Sequence, residues 1–320
     1  MLFPTVLKEK DYLSSVPQIL IDLKAFQTCE RIKSFDGTEL YTERYIKEGN
    51  RANIVIIHGF TEFSEKYKEM IWYYINLGLN VFIYDQRGHG LSERPVDNIN
   101  LIHVESFSDY IADLDFLIEN QVKVYGENLP IYLFSHSMGG AVAALYKAEH
   151  PKEIAKSIMS SPMICPEMHG LPRKLVLWKT KQEGKKNGWN NKFPYTGEFN
   201  PDVNFEDTVD GSEARFNATF KLRLAQKEYQ SSSATNKWMY EAVKAQDYIL
   251  KYKDLNVIDT DTLILSAGND RVVKNRMQIK FAKRLTNCRV KTFKGAKHNL
   301  FFASEDILEN YYKTIFEFLS

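Results

Sequence analysis

Long apolar runs are what this 320-residue chain conspicuously lacks. No stretch approaches the roughly 18 consecutive apolar residues that a spanning helix needs. The first ten residues, Met1 to Lys10, also lack the basic region, apolar centre and small-residue cleavage site of a secretory signal. The expectation is a soluble, cytoplasmic protein with no transmembrane segment, with transient contact to a membrane surface left open. Cysteine is scarce: Cys29, Cys165 and Cys288 are odd in number and far apart. That spacing argues against a disulfide framework and is not that of a metal site, so buried free thiols are expected. A net excess of either charge is missing too, since 42 Lys and Arg face 41 Asp and Glu. No global pull toward nucleic acid results, and no nucleic-acid motif is present. A phosphate loop is likewise absent. The glycine-rich segment Asp85 to Ser92 has no Gly-Lys-Ser/Thr opening a helix, so Asp85 and Arg87 read as braces of a turn whose glycines allow positive φ.

What is present is a serine in a telling context. Ser135-His136-Ser137-Met138-Gly139-Gly140 follows the apolar run Ile131 to Phe134 and precedes Ala141 to Leu145. A strand enters and a helix leaves, as a nucleophile elbow requires, with small residues two before and two after the serine so that the backbone can fold tightly. Gly139 meets that need, whereas Ser135 stands where the commonest form of the motif has glycine. Two further residues follow in the order acid, then histidine. Thr262 to Ala267 reads as a buried strand with Asp270 in the loop beyond it, and Cys288 to Phe293 reads as a strand followed by Gly295-Ala296-Lys297-His298. Asp254, Asp259 and Asp261 precede the first of these strands and so belong at its other end. A serine hydroxyl is a weak nucleophile alone, so a histidine must take and return its proton while an acid holds the imidazole in one tautomer. Ser137, His298 and Asp270 are the catalytic candidates.

A developing oxyanion needs backbone donors. Met138, after the serine, supplies one. The other is expected from Phe60, where Asn53 to Ile57 runs into His58-Gly59-Phe60. His58 reads as a brace of that loop rather than as a second base.

Residues 31 to 47 form a predicted hairpin about Asp36-Gly37. Beyond it, strands at Asn53 to Ile57, Asn80 to Tyr84 and Ile131 to Phe134 alternate with helical spacing such as Glu105 to Tyr125. The expected fold class is α/β: a doubly wound, mostly parallel sheet covered by helices, with ligands at the carboxyl ends of the strands. Alternation stops after Ser161 and resumes near Thr262. Residues 1–161 and 255–320 are therefore expected to form the core, and residues 162–254 a helical cap inserted over its carboxyl edge. Cys165 to Lys192 carries seven basic residues and two acids, while Glu198 to Glu213 carries six acids and no base. Helices are expected over Ser212 to Gln230 and Thr235 to Tyr252. Trp178, Trp189, Phe193, Tyr195, Phe216, Phe220, Trp238 and Met239 supply apolar surface, a minority of it facing substrate.

The chain as a whole resembles the α/β-hydrolase superfamily and, within it, bacterial lysophospholipases and monoacylglycerol lipases. The resemblance runs from about Phe35 to the C-terminus. It rests on His58-Gly59-Phe60, Asp85-x-Arg87-Gly88-His89-Gly90-x-Ser92, His136 to Gly140, Asp270 to Val273, Gly295-Ala296-x-His298 and, in the cap, Ser212-x-x-Arg215-Phe216 and Thr235-x-x-Trp238. It implies hydrolysis of a single-chain lipid ester through an acyl-serine, with no metal or organic cofactor. A monoacylglycerol lipase or general carboxylesterase, peptidase or thioesterase action, and a noncatalytic binding protein on the same fold stay open. Arg215 and Trp238 are the candidates for substrate contact, Arg215 as the cation for a phosphate head group.

Overall fold

The computed structural model describes residues 3–168, 171–194, 196–252, 255, 258 and 260–320. Tyr195, Asp254 and Asp259 lie outside the described residues. In chain order the main elements are α1 (Glu9–Lys24), β1 (Gln27–Lys33), β2 (Glu39–Tyr45), β3 (Ala52–Ile57), α2 (Lys68–Asn76), β4 (Leu79–Tyr84), β5 (Leu101–Ile102), α3 (Phe107–Leu117), α4 (Lys123–Tyr125), β6 (Ile131–His136), α5 (Met138–Glu149) and β7 (Lys156–Ser160). There follow α6 (Arg173–Asn187), α7 (Glu213–Ala225), β8 (Ser233–Ala234), α8 (Asn236–Lys251), β9 (Asp261–Ala267), α9 (Asn275–Ala282), β10 (Cys288–Phe293) and α10 (Glu305–Leu319).

Eight strands form one sheet in the order β1-β2-β4-β3-β6-β7-β9-β10. Only β2 pairs antiparallel, with β1 and with β4; every other neighbour is parallel. Every residue of β3, β4 and β6 is buried, which is why these strands read as short apolar runs rather than alternations. One core layer, on α3, α5 and α8, includes Val55, Leu133, Val142 and Ala242; the other, on α2 and α10, includes Ile54, Phe134, Tyr74 and Tyr312. After β3 the chain crosses to β4 on one side and later returns to β6 on the other. The strand order thus reverses between β3 and β6, the place where open α/β sheets hold their ligands.

The stretch foreseen as one helix from Glu105 to Tyr125 is interrupted. Ser106 caps α3 with Asp109 returning the favour, Asp109 Oδ2 accepting from the Ser106 N–H at 3.0 Å. A wider turn at Ile118 to Val122, where the Lys123 N–H reaches Ile118 O, then separates α3 from α4. The expected helices do not include α1 or α6, and α2, α9 and α10 are covered only by the general expectation of helices on both faces of the sheet. The segment between β7 and β9 divides in two: α6 packs on α8, which lies on α3 and α5, whereas α7 lies on α1. Among the described residues no helix is long and apolar enough to cross a membrane. Of the three cysteines expected as buried thiols, only Cys165 is buried.

Candidate active site

Three loops at the carboxyl ends of parallel strands bring the predicted residues together. Ser137 joins β6 to α5 with φ 49° and ψ −116°, a conformation that costs a non-glycine residue on the order of 1–3 kcal/mol. Its surroundings hold it there. The Ser137 N–H donates to Ser160 O at 3.1 Å, and Ser137 O accepts from Gly140 N–H at 2.9 Å and Met163 N–H at 2.8 Å. Glycine is required on the helix side of the turn. A Cβ on Gly139 would stand 2.2 Å from Ile57 O, and one on Gly140 2.4 Å from Pro162 Cβ. Ser135, the departure from the common motif, is accommodated because its hydroxyl donates to Ile158 O of the neighbouring strand at 3.3 Å.

Asp270 Oδ1 accepts from the N–H groups of Val272 and Val273 at 2.8 and 3.0 Å. Its Oδ2 lies 2.8 Å from His298 Nδ1. Burial pushes the carboxyl up, but the His298 contact and the two N–H donors outweigh it and hold Asp270 below its ordinary range. With Nδ1–H donated to Asp270, His298 Nε2 is the acceptor facing Ser137 Oγ at 2.9 Å. The histidine loop is pinned on both sides. Ser161 Oγ donates to His298 O at 2.8 Å, and Asn269 N–H donates to Ala296 O at 2.9 Å. Asp261, at the far end of β9, pairs instead with Arg289 at 3.2 Å.

Phe60 follows β3, and Ile57 sits in register with Ser135, so its loop adjoins the elbow. Among the described residues the Phe60 N–H makes no protein hydrogen bond. Met138 opens α5, where the first N–H groups have no acceptor within the helix. Two donors are thus free beside Ser137. His58 braces their loop: Nδ1–H donates to Gly59 O at 2.8 Å and Nε2 accepts from Gln86 N–H at 2.9 Å. Burial pushes this histidine down to about 4. His136, beneath the serine, lies with its ring nitrogens 3.1 Å from Ser160 O and 3.0 Å from Asn299 Oδ1. The Asp85 to Ser92 loop is closed in the same way. Asp85 accepts from Ser64 and Leu91 N–H at 2.6 and 2.7 Å, and Arg87 forms two 2.6 Å bonds to Asp113.

A cavity of about 400 Å³ opens over Ser137 and His298, walled by Phe60, Phe302 and, from α7, Phe216 and Phe220. Arg215 is not in that wall, which corrects its assignment to a head group. It is fully buried, with Nε and Nη2 on Glu69 at 2.8 and 2.7 Å, Nη2 also on Leu7 O at 2.9 Å and Nη1 3.3 Å from Glu9. Tyr12 lies under its guanidinium at 4.5 Å. A cation so paired to its own fold has nothing left for a ligand. Trp238 is also outside the wall: it stands behind Phe60, ring centroids 4.1 Å apart, and its Nε1–H donates to Tyr110 Oη at 3.1 Å. Of the other aromatics named from sequence, Trp178 is exposed and Trp189 packs on Tyr240. The basic cluster stays out of the cavity, with Arg173 paired to Asp247 at 2.6 Å and Lys192 to Glu198 at 2.7 Å.

Sequence reasoning missed Lys66, Asp210, Arg223 and Asn299, which also line the cavity. A signal existed for Arg223, because Phe216, Phe220 and Arg223 are spaced i, i+4, i+7 and share one face of a helix. Asn299 Nδ2 donates to Asp210 Oδ1 at 2.6 Å, and Gly211 and Ser212 N–H donate to Phe302 O at 2.7 and 2.8 Å. The start of α7 is thereby tied to the loop that carries His298.

Comparison with known proteins agrees with this architecture. The model of the hydrolase family described as serine aminopeptidase S33 matches residues 48–305. Lysophospholipase L2 of Escherichia coli K12 is 27% identical over 284 residues, spanning 85% of this chain and 82% of its own. Human monoglyceride lipase is 32% identical over 140 residues, 43% of this chain and 44% of its own. The crystal structure of a soluble variant of monoglyceride lipase from Saccharomyces cerevisiae superposes with a TM-score of 0.69 over 91% of this chain and 94% of its own, at 18% identity.

Proposed function

From the premise that this chain belongs to the serine aminopeptidase S33 family of α/β-hydrolases, we propose that it hydrolyses the carboxylic ester of a single-chain lipid. The observation that carries the reading is the unbroken contact from Asp270 through His298 to Ser137 at 2.8 and 2.9 Å, opening onto a cavity with both apolar and charged walls. Similarity along most of the chain to a lysophospholipase supports the lipid ester over other acyl compounds.

The residues divide the chemistry as follows. Ser137 Oγ attacks the acyl carbonyl while His298 Nε2 takes its proton, and Asp270 stabilises the imidazolium that results. The carbonyl oxygen, now negative, is held by the N–H groups of Phe60 and Met138. Collapse expels the alcohol, which takes the proton from His298, and leaves an acyl-serine. A water then gives its proton to His298 and attacks that ester, releasing the fatty acid and restoring Ser137. Residues 162–254 act in this scheme as the cap, with α7 closing the cavity over the serine.

A fluorophosphonate probe on the wild type and Ser137→Ala tests the assignment, beside turnover of a lysophospholipid and a monoacylglycerol. Labelling is expected to vanish in the variant, and kcat to fall by about 10⁴ or more, with the thermal midpoint unchanged. Persistent labelling would point to Ser135 instead. Turnover of an amino-acid p-nitroanilide but of neither lipid would replace the esterase reading with a peptidase one.

A further inference from the structure

Among the described residues, Arg223 and Asp210 in the wall of the cavity have no counter-ion in contact. Arg223 donates through Nε to Tyr229 O and through Nη2 to Ser231 O, both at 2.9 Å, and its Cζ stands 4.9 Å from the centre of the Phe199 ring. Among the described residues no carboxylate lies within 4 Å of it, and Nη1 makes no protein hydrogen bond. Burial pulls its pKa down to about 10, with the more distant Asp210 and Glu62 opposing. Asp210 is buried, whereas Arg223 is half-buried. It accepts from Asn299 Nδ2 at 2.6 Å, and burial pushes its carboxyl up. Desolvating an ion without a counter-ion is expensive, and the two carbonyls and ring face at Arg223, and the amide of Asn299 with the more distant Lys66 at Asp210, offset it only in part. Lys66, also in the wall, is different. It is closed on Glu62 at 2.5 Å, and Glu62 also accepts from Gly59 N–H at 2.7 Å and Tyr67 Oη at 2.6 Å.

On the lipid-ester reading above, we propose that Arg223 and Asp210 are the two poles of a head-group subsite that selects a zwitterionic lysophospholipid. The free Nη1 edge of Arg223 receives the phosphate of the leaving alcohol, since a guanidinium presents planar, charge-assisted donors suited to phosphate oxygens. Asp210 receives the ammonium beyond it. Opposite charges in one cavity, apart from each other, complement a head group that carries both. A neutral glycerol head leaves both ions desolvated and unpaired, and sites built for a charged or polar group reject analogues lacking it. A phosphate monoester without an ammonium brings no cation of its own to Asp210 and Asp207, which share the cavity wall.

The test compares kcat/KM for lysophosphatidylethanolamine, lysophosphatidic acid and a monoacylglycerol of one chain length, in the wild type, Arg223→Met, Arg223→Lys and Asp210→Asn. The wild type is expected to favour the ethanolamine lipid. Arg223→Met is expected to lose about 10- to 100-fold on both phosphate-bearing lipids, as for a lost charge-assisted contact, and to leave the monoacylglycerol within about threefold; Arg223→Lys restores part of the loss. Asp210→Asn is expected to lower the ethanolamine lipid about tenfold relative to lysophosphatidic acid, a ratio in which any general loss transmitted through Asn299 cancels. Equal losses on all three lipids in Arg223→Met, or a wild-type preference for the monoacylglycerol, would overturn the subsite while leaving the esterase intact. Failure to turn over any of the three, by protein that still reacts with a fluorophosphonate, would overturn the lipid-ester reading and the subsite with it.

Discussion

The loops at the strand ends and helix α7 face each other across one cavity, and they treat charge in opposite ways. At the strand ends, Asp270, His58, Asp85, Arg87 and Glu62 all have hydrogen-bond partners within their own loops or the adjoining elements. Helix α7 carries two arginines with different fates. Arg215 is enclosed by Glu69, Glu9, Leu7 O and Tyr12, and although burial opposes its charge, Glu69 holds it above its ordinary range. Arg223 meets two carbonyls and a ring face. The difference is rotational. At roughly 100° per residue, Phe216, Phe220 and Arg223 fall on the stripe toward the cavity, and Arg215 falls about 100° away, toward α1 and α2. Residue type alone does not decide whether an arginine is enclosed by its own fold or turned to the cavity; its position around the helix does.

That contrast can be broken most severely at the strand ends. Asp270→Asn is expected to lower kcat by about 10⁴, because the amide favours the wrong imidazole tautomer, with little change in thermal midpoint. Asp261→Asn, on the same strand but at its amino end and paired with Arg289 on the surface, should leave kcat within a factor of about two. Comparable losses in both would mean that the acid is not selected by its place at the carboxyl edge.

The next effect is one of stability. Arg215→Ala leaves Glu69 buried without its cation and should destabilise the fold by about 3–5 kcal/mol, read by urea denaturation. Activity on phosphate-bearing and neutral lipids should fall by the same factor, whereas a selective loss on the former would return Arg215 to the head group. Arg215→Met with Glu69→Gln, which removes both charges, should recover part of the stability.

The smallest effect sharpens the picture of the closed loops. His58 is held at about 4 against an ordinary 6.5, so the unfolded chain binds a proton that the native chain refuses. Its contribution is complete above pH 6.5 and is lost as pH falls through about 4. Denaturation between those limits should show a loss on the order of 2 kcal/mol in the wild type, and a shallower slope in His58→Asn.

How much was legible follows from the same physics. The hairpin, the strands and the order serine, acid, histidine could be read because β3 and β6 are buried on both faces and because the chemistry sits in the loops that leave strands. Helix α6 escaped notice, since only Thr180 and Gly184 are buried along it and no apolar period results. Helix α1 escaped for another reason. Pro17 lies inside it and Leu13, Leu20 and Ile21 are exposed beside buried Tyr12, Ile19 and Leu23, so its apolar residues circle the helix instead of marking one face. Missing α1 concealed Glu9 and Tyr12, and with them the reason why Arg215 is unavailable to a ligand.

The sequence by itself determined the α/β alternation, the strand-turn-helix at Ser137 and the loops where Asp270 and His298 lie, because backbone geometry, small residues and strand ends are local matters. Only the tertiary structure decided which charges are neutralised and which are left facing the cavity. Arg215 and Glu69 are 146 residues apart in the chain, and Asp210 and Asn299 are 89 apart. Pairing over such distances depends on how helices pack, and a buried ion's availability to a ligand is set by whether that packing brings it a partner.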